Sequence, residues 1–112
     1  MKNKINLSKL LNTEIIPTYI GESKTTVKEY LKKAYFDLIN ENYDESLTKL
    51  GTLQVNFAEK NLIDGFVIRD EDGYLVDYEY NQKEADMLLK SLIDVVFNGD
   101  FLQKDYFVRT GF

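Results

Sequence analysis

Apolar residues recur at helical spacing in two stretches of the chain. Val27, Tyr30, Leu31, Ala34, Tyr35, Leu38 and Ile39 stand at i, i+3, i+4, i+7, i+8, i+11 and i+12, which lays one apolar stripe along a helix. Thr26 and Glu29 have capping-box spacing, Lys28, Lys32 and Lys33 fall on the opposite face, and Asn40-Glu41-Asn42 supplies the stop. Ala85, Leu88, Leu89, Leu92, Ile93, Val96 and Phe97 repeat the pattern, opened by Asn81 with Glu84 and closed by Asn98-Gly99. The pattern predicts two amphipathic helices, over 26–40 and 82–98.

Between them the period changes to two. Phe66-Val67-Ile68-Arg69 and Tyr74-Leu75-Val76-Asp77-Tyr78-Glu79-Tyr80 flank Asp70-Glu71-Asp72-Gly73, a hairpin signature. Pairing Asp70 with Tyr74, with Gly73 left-handed in a G1 bulge, puts Phe66, Ile68, Tyr74, Val76, Tyr78 and Tyr80 on one face. That face is expected to cover the core. Val67, Arg69, Leu75, Asp77 and Glu79 then face outward. Slipping the register by one mixes Phe66 and Ile68 with Asp77 and Glu79, so the bulged register is preferred.

Residues 44–62 fit two patterns. Asp44 to Gly51 reads as a short helix with Asp44 as N-cap and Gly51 at C′, followed by an alternating strand, Thr52-Leu53-Gln54-Val55-Asn56-Phe57. One helix from Asp44 to Asn61 also aligns Leu47, Leu50, Leu53 and Phe57. It leaves Val55 off that face and puts Gly51 inside a helix at a cost of about 1 kcal/mol, so helix-then-strand is favoured. Ile5 to Asn12 is weakly amphipathic, Glu14 to Ile20 is demoted by Pro17 to an edge strand or an extended connection, and Tyr106-Phe107-Val108-Arg109 reads as a last strand.

The resulting expectation is a single α+β domain over 1–112, with 1–12 as a weakly ordered N-terminal segment. Its sheet is mainly antiparallel with about four to five strands, its two long helices pack on one face, and its order is roughly β-α-β-β-β-α-β. The single-helix version of 44–62 gives the alternative, a winged-helix-like fold with the hairpin as wing and Leu53 to Leu62 as recognition helix.

Composition then narrows the chemistry. The chain has no His and no Cys, which removes serine–histidine and cysteine–histidine nucleophiles, thiolate redox centres and the usual zinc sites. Asp70-Glu71-Asp72-Gly73 fails as a calcium loop, because an EF-hand counted from Asp70 needs Asp or Asn at Tyr74 and Gly at Leu75. The hairpin alternation spreads Asp77 and Glu79 over an open face rather than converging them for carboxylate catalysis. Glu22-Ser23-Lys24 matches only half of a metal-dependent nuclease signature, and no Gly-rich loop opens a helix. A non-enzyme without metal or cofactor is expected. The apolar runs Phe66-Val67-Ile68 and Val95-Val96-Phe97 are far shorter than the roughly 20 residues that span a bilayer, and residues 5–12 lack a leader's apolar stretch. These features point to a cytoplasmic protein with no membrane partner, and the Lys, Asn, Ile, Tyr and Phe usage fits an accessory protein of a phage, plasmid or other mobile element.

Charge carries the rest. The net charge of −5 divides into +4 over residues 1–33 and −9 over residues 34–112. Asp70, Glu71, Asp72, Asp77 and Glu79, with Asp86 and Asp64, are expected to form an anionic surface that docks on a protein with a basic surface, as a small regulatory or inhibitory protein. The second reading is nucleic-acid binding through the N-terminal lysines. It suffers from an acidic wing tip and from a recognition helix whose one cation is Lys60.

Overall fold

A computed structural model of the protein describes residues 5–16 and 24–97. Six elements follow one another: α1 (Leu7–Leu11), α2 (Val27–Ile39), α3 (Tyr43–Glu59), β1 (Gly65–Arg69), β2 (Leu75–Tyr80) and α4 (Gln82–Phe97). Both long amphipathic helices form as the pattern predicts. Thr26 Oγ1 accepts from Glu29 N at the start of α2, and Asn81 Oδ1 accepts from Glu84 N at the start of α4. At the end of α2 the chain turns left-handed at Glu41, and Asn42 N bonds back to Asp37 O, closing the helix with a Schellman arrangement.

The fold is organised around α3. Every residue from Thr52 to Ala58 is buried, so this half of the helix has no solvent face. α2 packs along it, α4 and the hairpin lie against it, and the extended segment at residues 14–16 docks on it. Ser46, fully buried, donates its hydroxyl to Ala34 O (2.8 Å), and Lys49 pairs with Asp37 (2.6 Å), fixing α2 against the first half of α3. The polar side chains of the second half are each matched. Asn56 accepts from Ile16 N (2.6 Å) and donates to Ile16 O (2.9 Å) and Thr52 O (2.9 Å). It thereby does for Ile16 what a neighbouring strand does for a backbone. The same segment makes one bridge, Glu14 to Thr26.

The sheet differs from the expectation. Among the described residues it has two antiparallel strands, β1 and β2, rather than four to five, and four helices surround the core. Thr52 to Phe57 is not a strand, the short helix 44–51 does not end at Gly51, and Asp44 lies in the first turn of α3, whose N-cap is Asn42. The polar–apolar alternation there arises because Thr52, Gln54 and Asn56 are buried with partners, not because one face meets water. With α3 enclosed, the helices also do not share one face of a sheet. Leu53 to Ala58 cannot serve as an exposed recognition helix, so the winged-helix alternative fails on burial. Residues 5–12 are partly packed, with Leu10 and Leu11 in the core. The expected last strand at Tyr106 to Arg109, residues 17–20 of the expected Glu14 to Ile20 segment, and the expected helix stop at Asn98-Gly99 lie outside the described residues.

Leu31 and Leu92 are both fully buried. Truncating either to Ala is expected to cost about 2–5 kcal/mol in denaturant unfolding. Asn56→Ala strips the Ile16 backbone of its partners and should cost about 1–3 kcal/mol, with faster amide exchange at Ile16. Neutral behaviour of all three variants would contradict this packing.

Candidate docking face of the hairpin

The hairpin turn forms as its residues dictate. Asp70 N donates to Tyr74 O (2.9 Å), Gly73 is left-handed (φ 89°), and Asp70 Oδ1 accepts from both Asp72 N and Tyr74 N (2.9 Å each). Asp70 thus builds the turn. Beyond Arg69 and Leu75 the register slips: Ile68 pairs with Asp77, Val67 with Tyr78, Phe66 with Glu79 and Gly65 with Tyr80. Val76 is the extra residue of a bulge.

That second bulge, together with one ion pair, decides which face is covered. Arg69 reaches α3 and forms a two-pronged bond with Glu59, Nε to Oε2 at 2.8 Å and Nη2 to Oε1 at 2.9 Å, while its Nη1 holds Gly73 O (2.9 Å). A planar guanidinium matched to a carboxylate this way is strong and directional. It pins the Val67–Arg69–Leu75–Tyr80 side toward α3. Gly65 permits the close approach at the hairpin's base, where a Cβ would collide with Glu79 O. The expected inward face is therefore reversed: Phe66, Ile68, Tyr74 and Val76 are exposed by 44, 49, 45 and 61%. Of the residues expected inside, Tyr80 alone packs against the core, with exposed Tyr78 stacked on it at 5.9 Å.

The candidate acids divide accordingly. Glu71 and Asp72 are exposed at the turn, and Asp77 and Glu79 stand opposite Ile68 and Phe66 on the outer face. These four border the exposed apolar side chains. Asp70 is exposed but engaged in the turn. Asp86 stands apart on α4, its Oδ1 accepting from Gln54 (3.1 Å) and Gln82 (3.0 Å). Asp64 sits at the hairpin's base, its N–H donating to Glu84 Oε1 (2.8 Å) and its carbonyl accepting from Asn81 N (2.8 Å). That last bond sets the ladder phase, so the N–H of Tyr78 points to the free edge. There it is taken by Asp77 Oδ1 at 2.8 Å, which blunts strand addition and leaves the side-chain face as the accessible surface. Hydrophobic alternation does not reveal the apolar half of this site; Arg69 in β1 is the available signal, since a charge at that parity demands a buried acid or an open face.

Behind the hairpin, Gln54 is fully buried and ties three elements. Its Oε1 accepts from Tyr80 Oη (3.1 Å) and Gln82 Nε2 (2.9 Å). Burial, followed by the nearby Tyr78 and Asp86, pushes the Tyr80 phenol up to about 12. On the far side a cavity of about 230 Å³ lies between Leu10, Leu62 and Lys60. The Lys60 ammonium, lowered by burial against the opposing field of Glu59, is committed to Asn56 Oδ1 (3.2 Å) and Glu14 O (3.3 Å). Among the described residues no three acidic side chains gather as a metal site, and no helix is long and apolar enough to cross a membrane. No protein-family model matches the chain, and neither the curated proteins nor the solved structures give a match.

The folded state holds the Tyr80 proton more tightly than the unfolded chain does. The stability this contributes is complete below pH 10 and is lost as pH rises toward about 12. Ultraviolet titration should show a late-ionising tyrosine component that is absent in Tyr80→Phe. A titration unchanged by that substitution would contradict the buried network.

Proposed function

We propose that this protein acts without catalysis, in the cytoplasm, by binding another protein through the outer face of its hairpin, in a regulatory or inhibitory role. One observation carries the reading: Phe66, Ile68, Tyr74 and Val76 lie exposed together and are bordered by Glu71, Asp72, Asp77 and Glu79. Contiguous exposed apolar area rimmed by polar residues marks interaction surfaces in small proteins. The Arg69–Glu59 bond and the Asp70 turn hold this face in one shape, which reduces the ordering cost of association. Its acidic border suits an apolar groove rimmed by Lys or Arg, and the same border repels a phosphate backbone. The burial of Leu53 to Ala58 also weighs against the winged-helix form of a nucleic-acid reading, which uses that segment as an exposed recognition helix.

The test separates binding from folding. Ile68→Asp with Val76→Asp is expected to abolish capture of a partner from host extract by the immobilised protein, while leaving thermal unfolding nearly unchanged. Asp77→Lys with Glu79→Lys should weaken it. Capture of the same partner by the Asp variant at wild-type yield would defeat the reading.

A further inference from the structure

The outer face of α2 has the complementary character. Phe36 and Ile39 are exposed by 60 and 54%, and Lys28, Lys32 and Lys33 are exposed around them, with Glu29 the one acid on that face. Lys32, Phe36 and Ile39 are spaced i, i+4 and i+7 and so form one ridge, roughly 10 Å long at 1.5 Å per residue. Phe66 and Ile68 on the hairpin are about 7 Å apart on one side of a strand, with Val76 beside them. Both surfaces are therefore short apolar strips, one bordered by lysines and the other by acids. They cannot satisfy each other within one chain. α2 is fixed on the first half of α3 through Ser46 and Lys49, whereas the hairpin is fixed on its second half through Gln54 and Glu59.

We infer that the hairpin face is covered by a second copy of this chain, which seats the Lys32–Phe36–Ile39 ridge of its α2 there; this rests on the hairpin face being a docking surface. The ridge places apolar atoms on Phe66, Ile68 and Val76, while Lys28, Lys32 and Lys33 meet Asp72, Asp77 and Glu79. Because the two surfaces differ, the contact is head-to-tail and leaves a free hairpin at one end and a free α2 at the other. It builds open chains or closes a ring. The copy holds the face until a foreign partner displaces it.

Charge reversal tests this without reference to any unknown partner. Variant A carries Lys28→Glu, Lys32→Glu and Lys33→Glu; variant B carries Asp72→Lys, Asp77→Lys and Glu79→Lys. By light scattering after gel filtration, the wild type should associate as concentration rises, and A and B should each remain monomeric, with circular dichroism unchanged. Mixing A with B restores opposite charges at both kinds of junction and should restore association, alternating A and B. A monomeric wild type, association of A or B alone, or a mixture that stays monomeric overturns the inference. None of these results touches the docking reading, which fails if the Ile68→Asp, Val76→Asp protein keeps its captured partner.

Discussion

The enclosure of the second half of α3 is the constraint on which the structure depends. A helix buried on every side has nowhere to turn its polar residues, so each must find a partner or leave an uncompensated group in the interior. Asn56 solves this by holding the Ile16 backbone, and Gln54 by joining Tyr80, Gln82 and Asp86. Glu59, at the end of the helix, takes Arg69. These side chains are what tie the N-terminal segment, α4 and the hairpin to one axis. The polar content of α3 is thus the means of assembly, and its leucines and Phe57 supply the area buried.

The outward character of the hairpin follows from the same contacts. Arg69 must face Glu59, so Val67 shares that side, and the bulge at Val76 brings Tyr78 and Tyr80 to it. Phe66, Ile68 and Val76 are left outside because a two-stranded ribbon has one face to bury. An apolar surface is produced by satisfying a charge. The proposed binding role and the proposed contact between copies both start from that exchange. They differ in what the face meets, and agree that the acids border it instead of forming the contact centre.

Helix periodicity was legible in the sequence wherever a helix keeps one face in water. α2 and α4 could be read with their caps because Lys28, Lys32 and Lys33, or Lys83, Met87 and Lys90, mark a solvent side. Beyond Gly51, α3 is legible only as the less favoured alternative, one helix from Asp44 to Asn61, which the helix Tyr43–Glu59 bears out. Its polar residues are inside, so period-two alternation was a by-product of buried hydrogen bonds. The turn at Asp70 to Tyr74 was legible because Asp and left-handed Gly act locally. The covered face was not, since it depends on Glu59, ten residues upstream of Arg69, and on a bulge with no Gly to announce it. For the site, Glu71, Asp72, Asp77 and Glu79 are legible as surface acids by type, whereas the bonds of Asp86 to Gln54 and Gln82 are not, because Gln54 comes from another element. Alternation and a register without the bulge at Val76 put Phe66, Ile68 and Val76 in the core.

The chain contains no cysteine, so a single introduced thiol reports one position without interference. The parity of β1 decides which face of the hairpin is covered, and comparing Ile68→Cys with Val67→Cys in their rate of reaction with a thiol reagent reads it. The thiol at 68 is expected to react at close to the rate of a free peptide, and the thiol at 67, turned toward α3, at least about tenfold more slowly, as local opening limits it. A faster reaction at 67 than at 68 would mean that the hairpin buries its Phe66 face, and it would contradict the docking surface and everything built on it.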